Sequence, residues 1–214
     1  MDRRLIITAD DFGLWPSYDA GIMEAVRAGA VDAVSVMARR MDPLPAELAA
    51  WGGAVGLHLE AGPDGSLREK GVEWQLDAFV GLVGRAPDYI DGHHHCHAQP
   101  GVAAEVAALA DSLDLPVRSV SEQHRALLRA AGVRTADRLI GRIEESQRVI
   151  PLELAVLPTG WTEWMVHPGH RDPGSGSSYD AGREEDLVAL LALQPVPGVD
   201  RADQRRLPGA AAGS

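Results

Sequence analysis

Cysteine is nearly absent from this 214-residue chain, with Cys96 standing alone. One thiol excludes a disulfide framework and a four-cysteine zinc site, and it fits a reducing compartment. Lysine is as scarce: Lys70 is the single example among twenty basic residues, a compositional bias to which no function is attached. Long apolar runs are missing too. None approaches the roughly 18–20 residues that a membrane span needs, and residues 187–193 read as ordinary helix. The opening MDRRLIITADDFG places only five residues between its arginines and the paired aspartates, too short an apolar core for a signal peptide. Positive charge is in deficit, with 20 Lys plus Arg against 31 Asp plus Glu and a formal charge of −11. Such a surface repels phosphate backbones, so neither a nucleic-acid nor an anionic-membrane partner is expected. The expectation is a soluble, cytoplasmic protein.

What the chain does contain is ordinary globular material, 45% hydrophobic and 24% charged, enough for one domain. Short apolar runs at 5–8, 33–37, 55–59, 89–95, 117–120 and 163–167 read as strands. Helical spacing marks 18–28, 73–83, 102–113, 123–131, 136–147 and 187–193, with Gly29 placed to end the first helix. Alternation of this kind predicts an α/β protein with a parallel sheet. From Pro195 onward apolar periodicity fades. The expected organisation is therefore a single domain over 1–194 and a flexible tail over 195–214.

Polar clusters recur just after the predicted strands, where barrel and open-sheet enzymes place their sites. The densest is Asp91-Gly92-His93-His94-His95-Cys96-His97. Extended as a strand, it puts Asp91, His93, His95 and His97 on one face, a natural place for a divalent metal or a substrate. An incidental His-rich stretch is the alternative. Asp10 and Asp11 follow the first strand, and adjacent carboxylates repel unless a cation lies beside them; an Asp-rich turn capping a helix is the plainer reading. His58 interrupts an apolar strand and must be paired, buried neutral or liganded. His167 ends a fourth run. Together, strand ends bearing Asp, His, His and His describe one shared site, and a carboxylate with two histidines leaves positions open for water and substrate.

LIITADDFG, VGLHL, DGHHHCH followed by Pro100-Gly101, and TEWMVHPG, in this order, resemble the YdjC-like carbohydrate deacetylase family, which includes chitooligosaccharide deacetylases and hopanoid-associated relatives. Gly21-Ile22 and Ser35-Val36-Met37 match it as well. The resemblance implies a (β/α) barrel-like fold of the TIM type and a divalent metal, magnesium or zinc. It implies Asp11, His58 and His93 as ligands, Asp10 as general base, and His167 as acid or oxyanion stabiliser. His95 is the competing choice for the third ligand. His95, His97 and Trp164 are expected to contact substrate or support the ligands. The implied substrate is an acetylated amino sugar.

The chain is short for that family between His58 and Asp91 and again between Val120 and Glu163, so a shortened or incomplete barrel is expected, and with it a homodimer. Two other readings stand beside a deacetylase: another barrel metallohydrolase, such as a phosphoesterase or amidohydrolase, and an inactive metal- or sugar-binding relative. Trp15, Trp161 and Trp164 lie near the motifs, and Trp51 and Trp74 are assigned to packing.

Overall fold

The computed structural model describes residues 2–40, 43–62, 67, 71–141 and 154–209. At the centre of a parallel sheet lies β1 (Arg3–Phe12), buried from Leu5 to its end. A parallel strand covered on both faces needs a continuous apolar run rather than alternation, which Leu5-Ile6-Ile7 supplies. The other strands are β2 (Ala33–Val36), β3 (Ala54–Leu59), β4 (Ile90–Gly92), β5 (Arg138–Ile140), β6 (Gly160–Val166) and β7 (Val199–Arg201). Their order across the sheet is β4-β3-β2-β1-β6-β5, with β7 pairing β1.

Among the described residues the helices that connect and cover these strands are α1 (Pro16–Arg27), α2 (Ala46–Ala49), α3 (Val72–Val83), α4 (Ala103–Ser112), α5 (Glu122–Ala130) and α6 (Asp180–Ala192). Pro16 opens α1 at a position where its missing N–H is no loss. Gly29 follows that helix at φ +66°, the left-handed residue that ends many helices. Ser121 caps α5 by accepting the His124 N–H at 3.1 Å.

The strands follow one another around a barrel that does not close. Pairing stops at an isolated Ile90–Val117 bridge beyond β4 and at β5 on the other side. Among the described residues only point ties cross the interval, such as Val117 N–H to the Arg134 carbonyl at 3.0 Å. The expected incomplete barrel is what forms.

Two sequence expectations are corrected. The helix expected over 136–147 is a strand where it is described: β5 pairs in parallel with β6 through Arg138, Leu139 and Ile140, and 142–147 fall outside the described residues. Strand pairing here overrides a helical periodicity that was only local.

The second correction concerns the tail. Because β2 begins pairing with β1 only at Thr8, the edge of Arg3–Leu5 is left open, and β7 occupies it. Unpaired edge groups are costly when covered, which gives this segment a place. Arg201 pairs with Asp32 at 2.8 Å. Beyond the strand, buried Gln204 donates to Thr8 Oγ1 at 2.8 Å and to Glu163 Oε1 at 3.3 Å, and Leu207 packs with Ile6 and Ala136. Residues 199–207 are thus part of the fold rather than a tail.

Candidate active site

The C-terminal ends of the strands gather around one cavity of about 530 Å³, whose wall includes Asp10, Asp11, His58, His93, His167 and Arg183. In a regular strand Asp10 and Asp11 would face opposite ways. Here the register against β2 shifts between Ala9 and Phe12, and Asp11 takes φ 72°. Aspartate tolerates this left-handed region better than most residues. The bulge turns both carboxylates toward the cavity.

Asp11, His58 and His93 each offer a ligand atom, and these atoms lie within 4.8 Å of one another. Asp11 Oδ1 is 3.2 Å from His58 Nε2 and 2.8 Å from His93 Nδ1. His58 is oriented from behind, its Nδ1 lying 2.7 Å from Asp91 Oδ1, the arrangement that fixes metal-binding histidines elsewhere. Burial opposes a charge on His58, but Asp91, Asp11 and Asp10 outweigh it and drive its pKa up to about 10. Burial likewise works against an ionised Asp11, yet hydrogen bonds to His58 and His93 hold it well below the usual carboxylate range. A proton shared in this cluster stands where a cation would compete for the same lone pairs. The donor set therefore fits a divalent ion. A second group, Asp10, His58 and Asp91, is equally close, but a guanidinium already occupies it.

That guanidinium is Arg118, fully buried, and sequence reasoning did not single it out. Its Nη1 and Nη2 donate to the two oxygens of Asp10 at 2.6 and 2.8 Å. Nη2 also lies 2.9 Å from Asp91 Oδ2, and Nε donates to Glu163 Oε1 at 2.9 Å. Ser35 Oγ donates to Asp91 Oδ2 at 2.7 Å and lies 3.2 Å from Asp10 Oδ1. Burial raises the Asp10 pKa, but Arg118 outweighs it and brings the value down to about 2. Asp10 is accordingly ionised at any working pH. The available signal for Arg118 was a cation inside an apolar run, Val117 to Val120, in which a buried charge must find acids.

His167 follows β6 directly. Its backbone N–H donates to Asp186 Oδ2 at 2.8 Å, and its buried Nδ1 has no partner among the described residues. Burial lowers its pKa, with Asp11 and Asp10 acting in the opposite direction.

The His-rich segment does not run on as a strand. After Gly92 the chain turns into a 3₁₀ helix, His93–Ala98, with His94 at φ 49° and His95 at φ 57°. The single-face expectation fails as a result. His93, His94 and His95 reach the cavity, whereas His97 does not. His97 Nε2 instead donates to the Arg118 carbonyl at 3.0 Å, supporting that residue from behind. Trp164 is buried in the core cluster and absent from the cavity wall, which removes it as a substrate contact. Its strand is parallel and covered on both faces, which buries this position as well. Trp161 packs beside Ile6 and Leu207. Trp15 lines the cavity, with its indole N–H held by Asp172 Oδ2 at 3.0 Å.

Comparison with known proteins adds four findings. The family model described as YdjC-like protein matches residues 4–62 and 68–194. A chitooligosaccharide deacetylase of Yersinia pestis (strain Pestoides F) is 33% identical over 151 residues, covering 55% of this chain and 60% of that protein. A human carbohydrate deacetylase is 36% identical over 138 residues, covering 46% of this chain and 42% of that protein. The matched stretches thus span less than two thirds of these relatives' own length. Among solved structures, a provisionally named cellobiose-phosphate cleavage protein from Enterococcus faecalis V583 superposes with a TM-score of 0.76 at 25% identity, covering 95% of this chain and 98% of that one.

Proposed function

The chain belongs to the YdjC-like family, and from that premise we propose that it is a metal-dependent deacetylase that hydrolyses the N-acetyl group of amino sugars or their oligomers. The observation that carries this reading is the convergence of Asp11 Oδ1, His58 Nε2 and His93 Nδ1, with Asp10 and His167 in the same cavity wall. Magnesium or zinc held by those three residues would polarise the acyl oxygen and make a nearby water more acidic.

The remaining steps fall to the chain. Asp10 accepts the proton of the attacking water. Arg118 occupies one acceptor position on each Asp10 oxygen and Ser35 Oγ faces Oδ1 at 3.2 Å, which leaves Oδ2 a second position, so the ion pair orients the base without blocking it. His167 delivers a proton to the departing amine. Burial makes an imidazolium at this position a stronger acid than in water, which suits that step. His94 and His95 stand at the mouth beside His93 and contact the sugar, and Trp15 offers an aromatic face to it.

Acetate release from N-acetylglucosamine oligomers tests the reading, using protein stripped with a chelator and then supplied with Mg²⁺ or Zn²⁺. Release should vanish on chelation and return with metal. Asp10→Asn should retain metal yet lose about 10²–10⁴-fold in turnover, the usual share of acid–base catalysis. Phosphate release from sugar phosphates in place of acetate would transfer the site to the phosphoesterase class, and saccharide binding with no turnover would make it a binding protein. A cytoplasmic setting and a homodimer belong to the same proposal. The single thiol supports the first and the open barrel the second, and light scattering after gel filtration reads the dimer.

A further inference from the structure

Arg183 stands in the cavity wall and has no part in the steps above. It lies in the first turns of α6 and is 3% exposed. Its Nη2 donates to Asp11 Oδ2 at 2.6 Å, the carboxylate oxygen opposite the one that faces His58 and His93. Its Nε and Nη1 are buried and without a partner among the described residues. The group cannot swing away to satisfy them. Its guanidinium carbon lies 4.2 Å over the Tyr18 ring, and the Tyr18 hydroxyl is tied to Asp180 Oδ1 at 3.0 Å and to Ser175. The Arg183 backbone carbonyl is held by the Gly169 N–H at 3.1 Å.

Two buried cationic donors left unpaired are costly, and such groups in a folded protein call for an explanation. The cavity supplies one, since Arg183 forms part of its wall. We propose that Arg183 is a catalytic residue whose free Nη1 and Nε donors hold the acyl oxygen of the substrate as it becomes an oxyanion, and afterwards the carboxylate of the released acid. This rests on the amide-hydrolase reading.

In that step the water oxygen bonds to the carbonyl carbon, the C=O π pair moves onto the acyl oxygen, and one water proton passes to Asp10. Arg183 donates to the charged oxygen. The C–N bond then breaks, its electron pair leaves with nitrogen, and His167 protonates the amine. The acid loses its proton to solvent as a carboxylate, and the proton on Asp10 returns to His167 through water. Fixed donors aimed at developing charge are worth about 10²–10³-fold in kcat each.

Arg183→Gln and Arg183→Lys in the metal-loaded full chain test this with four readouts: kcat, KM, inhibition by acetate, and Mg²⁺ or Zn²⁺ affinity by calorimetry. For Arg183→Gln the expected result is a 10²–10³-fold fall in kcat, with KM changed less than fivefold. Acetate inhibition should weaken at least tenfold, and metal affinity should stay within threefold. Arg183→Lys, which keeps a charge, should recover at least tenfold of the lost kcat. A loss of metal affinity matching the loss of kcat would overturn the proposal, since Arg183 would then act only by holding Asp11. Unchanged acetate inhibition would overturn it too. If the native chain releases acetate from no acetylated sugar, the deacetylase reading fails instead; acetate binding to native and Arg183→Gln protein, measured by calorimetry, still decides the anion contact.

Discussion

Replacing Arg118 by methionine would leave Asp10, Asp91 and Glu163 without the guanidinium that joins them, with His58 beside Asp91 at 2.7 Å as the remaining basic group of the cluster. The three carboxylates are at most 3% exposed, and Arg118 itself is fully buried. Four contacts of 2.6 to 2.9 Å are lost. At about 1.5–3 kcal/mol for each charged hydrogen bond, simple addition overshoots, because a stranded carboxylate takes up a proton. The measured cost of breaking a buried pair, about 3–5 kcal/mol, is the better guide. For a chain of this size that lowers Tm by roughly 10 °C. The pH dependence follows from Asp10. Burial alone would raise its pKa, and Arg118 instead brings it to about 2. A carboxylate depressed on folding contributes stability that is present above its unfolded pKa and lost as pH falls through its folded one. The difference between native and Arg118→Met protein should therefore be full at pH 7 and narrow as pH falls below 4. Urea unfolding followed by circular dichroism, with a chelator present so that no bound cation contributes, measures both quantities. A cost under 1 kcal/mol at pH 7, or one that does not shrink in acid, would refute the charge-balance account of this cluster.

Two further outcomes follow from the structure. At Gly21 on α1, a Cβ would lie 2.5 Å from Gly169 Cα and 2.9 Å from the His170 nitrogen; both are backbone, so Gly21→Ala should displace the loop that carries His167. Activity should fall at least tenfold and stability by about 1–3 kcal/mol, and native-like values in both assays would exclude that close approach. Burial holds Asp186 up to about 6 from an ordinary 3.8, against the His167 N–H and the Tyr179 hydroxyl. Between these values the folded state binds the extra proton, so stability falls as pH rises from about 4 to 6. Asp186→Asn should remove up to about 3 kcal/mol of that fall, at 1.36 kcal/mol per unit, and parallel urea midpoints for the two proteins across this range would contradict it.

Much of the strand framework was legible in the sequence, because a doubly covered parallel strand writes itself as an uninterrupted apolar run. Leu5-Ile6-Ile7 and Val55-Gly56-Leu57 are read this way without ambiguity. Residues 138–140 were not, since a three-residue strand carries too little pattern to compete with a helical one around it. The C-terminal strand was missed for a related reason. Val199–Arg201 carries a single apolar residue, and what holds it is the vacant edge of β1, a property of another part of the chain. The alternation rule placed His97 on the ligand face and was defeated at His94 and His95, where two left-handed residues redirect the backbone.

The site divides along the same line. Asp10, Asp11, His58, His93 and His167 carry their chemistry in residue type and in their position after strands, so the sequence alone named them as one group. Their cations were beyond it. Arg118 lies 108 residues from Asp10 and Arg183 lies 172 from Asp11; an arginine in a short apolar run hints at burial without naming its acids, and one in an amphipathic helix looks like any solvated charge. Whether it is one depends on which acids the fold brings within 3 Å and how much water it leaves there. Burial and proximity are properties of the assembled barrel, and they alone decide that Asp10 stays ionised and that Arg183 has donors to spare.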